Sequence, residues 1–163
     1  MFVKTIASFN DIQLKISRPL VICDIDETIL HFNPTIDQTK SNQCNQPIKI
    51  IYEPTHTDLD GFIELTKRIN ELKGKLIFLT ARKKEDESYT RNNFKSIGLN
   101  YDDYKVYYTN NKISKGEYIY NYIQTSDYDN IIFIDDRADY INSVLDYMPY
   151  VDCYLFYISN AYS

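Results

Sequence analysis

Unbroken apolar runs alternate along this chain with stretches in which apolar residues recur every three or four positions. Leu20-Val21-Ile22, Leu76-Ile77-Phe78-Leu79 and Ile131-Ile132-Phe133-Ile134 are runs of the kind a strand covered on both faces displays. Shorter runs at Lys105–Thr109 and Cys153–Ile158 predict two further strands. Between them the spacing turns helical. Leu59, Phe62, Ile63, Ile69 and Leu72 predict a helix from Asp58 to Leu72, with Thr57 or Asp58 as its cap and Gly74 just beyond its end. A second helix is expected from about Asp86 to Ile97, stopped by Gly98, and a third from Ser114 to Gln124. A fourth is marked by Tyr140, Ile141, Val144, Leu145 and Met148. Strands alternating with helices imply right-handed crossovers, so the expected class is α/β: a three-layer Rossmann-like domain, a central parallel sheet with helices on both faces.

Two stretches resist this pattern. Residues Thr5 to Ser17 carry apolar positions in a mixed order that predicts no definite element. Between His31 and Thr57 lie Pro34, Pro47 and Pro54 among many polar residues, with one short strand at Ile48–Tyr52, which reads as a small flap within about 31–57. No repeat, low-complexity tract or linker interrupts the rest. A chain of 163 residues, 44% hydrophobic, suffices for one core, so a single domain over 1–163 is expected.

Charge and cysteine content narrow the function classes. A formal net charge of -5 argues against a protein that lives mainly on nucleic acid, whose phosphates call for an excess of Lys and Arg. Met1–Ile6 has neither a long apolar core nor a small-residue cleavage site, and no run is long enough to cross a bilayer, so no signal peptide and no membrane partner are expected. Cys23, Cys44 and Cys153 are odd in number and widely spaced, which speaks against a disulfide or zinc framework and for a reducing, cytoplasmic location.

The candidate chemistry lies at the strand ends. In a parallel sheet ligands sit outside the carboxyl ends of the strands. Here those ends carry Asp24 and Asp26, then Thr80-Ala81-Arg82, then Asp135-Asp136, while Lys115 stands at the start of the third helix. Asp24 and Asp26, two residues apart in an extended segment, share a face. Ionised carboxylates gathered in this way call for a cation, and carboxylate oxygens suit Mg2+. Lys115 and Thr80 could hold phosphate oxygens. The inferred ligand is a phosphate on a magnesium ion. Taken singly, each signal is ordinary: a solvated turn, a strand-end Thr, a helix-surface Lys, a loop opening a helix. Their order and placement together carry the reading.

Asp24-Ile25-Asp26-Glu27-Thr28, the apolar strand closing in Thr80, Lys115-Gly116, and Phe133-Ile134-Asp135-Asp136 resemble motifs one to four of the haloacid dehalogenase (HAD) superfamily of phosphohydrolases. The usual Gly after the second Asp is Glu27 here, a variant that resembles the acid-phosphatase-like branch and a related bacterial and viral one. The resemblance implies that Asp24 is a nucleophile forming an aspartyl phosphate and that Asp26 protonates the leaving oxygen and later deprotonates water. It implies that Thr28, Thr80, Ala81, Arg82 and Lys115 serve phosphate or substrate binding. Mg2+ would be held by Asp24, the main-chain carbonyl of Asp26 and Asp136, with Asp135 in direct or water-mediated support; which of the last pair touches the metal is open.

Members of the superfamily usually carry an inserted cap. This chain has room for a flap only, so the site is expected to be nearly capless. That suits either a bulky phosphorylated macromolecule or a small phosphomonoester covered by a neighbouring subunit of a homo-oligomer. Arg82-Lys83-Lys84, with Arg91 and Lys95, makes a polynucleotide end phosphatase the second reading. A catalytically silent phosphate-binding or regulatory module is the third, disfavoured because such a module has no need of Asp26. His31 and His56 read as surface residues near the mouth, Tyr52 as a residue that could stack on a substrate ring, and Cys23 as a small apolar side chain facing the sheet.

Overall fold

A computed structural model describes residues 2–15, 17–37 and 47–157, so Cys44 lies outside the described residues. The strands are β1 (Phe2–Ile6), β2 (Pro19–Cys23), β3 (Leu30–Ile36), β4 (Ile50–His56), β5 (Lys75–Thr80), β6 (Lys105–Tyr108), β7 (Asn130–Asp135) and β8 (Asp152–Phe156). The helices are α1 (Leu59–Glu71), α2 (Glu87–Ser96), α3 (Lys115–Tyr122) and α4 (Ala138–Tyr147). Six strands form one sheet in the order β1-β8-β7-β2-β5-β6, and every pairing in it is parallel.

The unbroken apolar runs are explained by burial on both faces. Along β2, Val21 and Cys23 join one core cluster while Leu20 and Ile22 join the other; β5 and β7 divide their residues in the same alternating way. The first cluster takes Phe62, Leu65 and Ile69 from α1 and Phe94 from α2, and the second takes Ile119 from α3 and Ile141 and Val144 from α4. The helices therefore cover opposite faces in pairs, and the expected three layers are present. Cys23 is buried in the first of these clusters, as its alternation with Asp24 predicts.

Differences from the sequence expectation have local causes. β1, which no pattern predicted, overlaps the stretch left without an element only at Thr5 and Ile6, and pairs with β8 from Phe2 opposite Asp152 to Ile6 opposite Phe156. The flap is a two-stranded antiparallel hairpin of β3 and β4, longer than the single strand expected. Facing pairs Phe32–Pro54, Pro34–Tyr52 and Ile36–Ile50 give it one apolar face, whose base, Phe32, packs on the core. At the end of α1 the left-handed residue is Lys73, at φ 55°, and not Gly74. Gly74 is required for another reason: a Cβ there would lie 2.4 Å from the carbonyl oxygen of Pro19. Tyr122, which falls at core spacing with Tyr118 and Ile119 along α3, is exposed, as is Tyr120.

Asp58 ties the hairpin's exit to the body of the fold. Its carboxylate accepts from Gly61 N–H at the start of α1, from the Ser8 hydroxyl and from Phe9 N–H. The Asp58 N–H in turn donates to His56 Nδ1 at 3.1 Å. Burial holds the His56 imidazole down at about 4, against an ordinary value of 6.5, with the Asp58 charge a smaller opposing influence. A histidine depressed in this way binds fewer protons folded than unfolded, so its contribution is complete above pH 6.5 and is lost as pH falls through 4. Between pH 7 and pH 4 the wild type should lose about 2 kcal/mol more than His56→Asn, allowing for the part of the ring that meets water. The asparagine oxygen can still accept from Asp58 N–H but does not titrate. Urea unfolding of both proteins across that range measures the difference, and parallel curves would refute it.

Candidate active site

The chain runs from β2 to β5 and β6 on one side, then returns to β7 on the other side of β2. The crevice at the carboxyl ends of β2 and β7 is therefore the topological switch point of the sheet, where open α/β sheets bind ligands. Asp24 follows β2 directly, and its N–H donates to the Ile134 carbonyl at 2.9 Å, which locks it beside the end of β7. The next residues coil tightly: the Ile25 carbonyl accepts from the N–H groups of Thr28, Ile29 and Leu30. Glu27 sits in this coil at φ 59°, in the left-handed region that favours glycine. This backbone demand accounts for the Gly usual at the position. Glu27 instead places its carboxylate 2.6 Å from His31 Nδ1, an i,i+4 contact across the coil.

Asp24 is buried and held from both sides. Its Oδ2 accepts from the Thr28 hydroxyl at 3.0 Å, and its Oδ1 from Lys115 Nζ at 2.6 Å. Lys115 is 1% exposed and donates also to Asp135 Oδ2 at 2.5 Å, while its Nζ lies 4.6 Å from the centre of the Tyr140 ring. Gly116 makes this depth possible. A Cβ there would lie 2.0 Å from the Ser143 carbonyl oxygen, so only glycine lets α3 pack on α4 closely enough to carry Lys115 inward. Burial alone would lower the Lys115 ammonium, but the charges of Asp24 and Asp135 outweigh it and raise its pKa.

Asp24, Asp135 and Asp136 offer carboxylate oxygens that all lie within 4.8 Å of one another. Three negative charges against the one ammonium of Lys115 leave the cluster short of positive charge. Its titration carries that signature: burial, then the Asp24 charge, lifts Asp135 well above the usual carboxylate range and Asp136 to about 6. Hard oxygen donors at this spacing fit a divalent metal ion.

Thr80, at the end of β5, is fully buried, and its hydroxyl oxygen accepts from Arg82 N–H at 3.1 Å, which leaves its proton to donate elsewhere. Arg82 forks onto Asp26, with Nε to Oδ2 at 3.0 Å and Nη2 to Oδ1 at 2.7 Å. Its Nη1 donates to Thr90 Oγ1 and Asn93 Oδ1, two residues of α2 that the sequence reading passed over. A signal for them exists. Thr90, Asn93, Phe94 and Ile97 are all buried, which makes the first two polar members of an apolar helical stripe. Ala81 and Arg82, with Lys83, Tyr89, Arg137 and Tyr140, help line a groove of about 480 Å³ at this edge. The basic patch is largely neutralised within the chain. Lys83 pairs with Glu85, Lys84 with Glu87, and Arg91 with Asp102 and Glu87.

A parallel α/β sheet whose switch point gathers acids, a buried ammonium and a buried hydroxyl defines a hydrolase of the phosphatase class. The chain belongs to the HAD superfamily, subfamily IIIB (acid phosphatase), whose family model matches residues 3–139 and so spans Asp24, Asp26, Thr80, Arg82, Lys115, Asp135 and Asp136. No curated protein and no solved structure gives a significant match. Among the described residues no helix is long and apolar enough to cross a membrane.

Proposed function

We propose that the chain is a Mg2+-dependent phosphomonoester hydrolase that works through an aspartyl phosphate on Asp24. The observation that carries this reading is the Asp24 carboxylate itself, fixed between Thr28 and Lys115 at the switch point, with a second, half-exposed carboxylate two residues on. Asp24 attacks phosphorus while the bond from phosphorus to the leaving oxygen breaks, and Asp26 supplies the proton which that oxygen takes up. Water then attacks the phosphoryl group, Asp26 takes its proton, and the bond to Asp24 breaks to release phosphate. Lys115 and the free proton of Thr80 serve the phosphoryl oxygens, where preorganised donors act on developing charge. Asp24, the Asp26 carbonyl and Asp136, supported by Asp135, are the groups that would hold Mg2+. When bound, Mg2+ offsets the repulsion between the acid cluster and a phosphate dianion.

The internal pairing of Lys83, Lys84 and Arg91 favours a small phosphomonoester over a polynucleotide end, since few cations are left to meet neighbouring phosphates. The free, buried thiols of Cys23 and Cys153 support a reducing, cytoplasmic setting. Purified protein with Mg2+ should release phosphate from p-nitrophenyl phosphate and from at least one member of a panel of nucleoside monophosphates, sugar phosphates and phosphorylated oligonucleotide ends. EDTA should stop the reaction and added Mg2+ restore it. Failure on the whole panel would overturn the reading.

A further inference from the structure

Helix α2 turns two polar side chains inward beside the site. Thr90 is 0% and Asn93 5% exposed, and each is satisfied by the same nitrogen of Arg82, Thr90 Oγ1 at 3.1 Å and Asn93 Oδ1 at 2.8 Å from Nη1. The opposite edge of that guanidinium grips both oxygens of Asp26. Exposure rises along the chain of contacts, from the two α2 residues to Arg82 at 11% and Asp26 at 45%. An arginine anchored only at its backbone swings freely, and an exposed ion pair made by it fixes little. Here the inner edge of the planar fork is pinned to a helix, so the orientation of the outer edge, and with it the Asp26 carboxylate, is set from α2. Asp26 lies in the first turn of a tight coil and carries its carboxylate at the mouth; no other side-chain hydrogen bond to it is found among the described residues.

We propose that Thr90, Asn93 and Arg82 are positioning residues for Asp26, holding its carboxylate where it hands a proton to the leaving oxygen, so that α2 determines how poor a leaving group the enzyme can expel. The inference rests on the reading of Asp26 given above. In the step concerned, the bond from phosphorus to the leaving oxygen breaks, its electron pair stays on that oxygen, and the Asp26 proton neutralises it. A nitrophenolate leaves well without that proton; an alkoxide does not. Mispositioning Asp26 therefore harms alkyl phosphates selectively, whereas loss of phosphate binding or of folding harms both substrates alike.

The test compares kcat/KM, which reports phosphoryl transfer to Asp24, on p-nitrophenyl phosphate and on glycerol phosphate for the full chain with Mg2+. Asn93→Leu should lower the glycerol phosphate value by about tenfold or more, in the direction of Asp26→Asn, while the p-nitrophenyl phosphate value falls by less than about threefold. Thr90→Val, nearly isosteric, should show the same selectivity to a smaller extent and serves if Asn93→Leu melts early. Equal losses on the two substrates would overturn the proposal. So would a variant that gains on glycerol phosphate, because the ion pair would then be a restraint the enzyme has to break. Wild-type turnover that disappears in Asp24→Asn tests the reading of the site by itself, and a wild type inert on both substrates sinks both.

Discussion

Asp24→Asn is expected to abolish phosphate release, by at least about 10⁴-fold, while leaving the fold intact. The substitution is nearly isosteric, and the site can absorb it. The amide oxygen can accept from Lys115 Nζ as Asp24 Oδ1 does, and the amide nitrogen can donate to the Thr28 hydroxyl, whose proton turns away. Lys115 also keeps its second partner, Asp135. What is lost is the nucleophile, because a neutral amide oxygen is a poor one. The assay is phosphate release together with thermal melting: activity within tenfold of wild type would remove Asp24 from its assigned role, and a collapsed melting temperature would show that the aspartate is structural.

Lys115→Met is expected to damage both activity and stability, with a loss of about 3–5 kcal/mol near neutral pH. The ammonium is enclosed, touches two carboxylates and has the Tyr140 ring against it, so its removal leaves Asp24 and Asp135 facing each other without compensation. The deficit should depend on pH in a definite direction. Burial and the Asp24 charge already hold Asp135 above its ordinary range with the lysine present. Without it the folded protein binds carboxylate protons more tightly than the unfolded chain, so stability falls as pH rises and the deficit shrinks as pH falls. Urea unfolding at pH 7 and pH 5 measures this, and a variant equally destabilised at both would show that methionine merely packs badly.

The parts of the molecule legible in the sequence are those in which one residue's chemistry decides its place. β2, β5 and β7 announce themselves because strands covered on both faces have no polar positions, and the groups at their ends are then read off in order. Gly98 stops α2 at φ 83°, as its position predicts. Missed elements are those in which a neighbour decides. β1 is an edge strand with Val3, Lys4 and Thr5 exposed, so its pattern resembles a loop until β8 is placed beside it. β3 contains Pro34, which argues against a strand in the interior of a sheet but costs little in a two-stranded ribbon with free edges. Arg82 could be read as a cation beside a phosphate site, yet its partners lie on the β2 coil and on α2, and no local spacing relates those segments. Thr90 and Asn93 carry a periodic signal, but their purpose appears only once Arg82 is seen between them and Asp26.

The register that sets Phe2 opposite Asp152 also governs the order in which this sheet can be assembled. β1 is synthesised before every other described strand, while its neighbour in the sheet, β8, is the last of them. Closing so wide a loop is the contact with the greatest entropic cost and the least local help. Four adjoining strands, β7-β2-β5-β6, can pair and bring Asp24, Thr80, Lys115 and Asp135 together without β1 or β8. The crevice can thus form ahead of the far edge of the sheet, and the docking of β1 on β8 is the closure left for last.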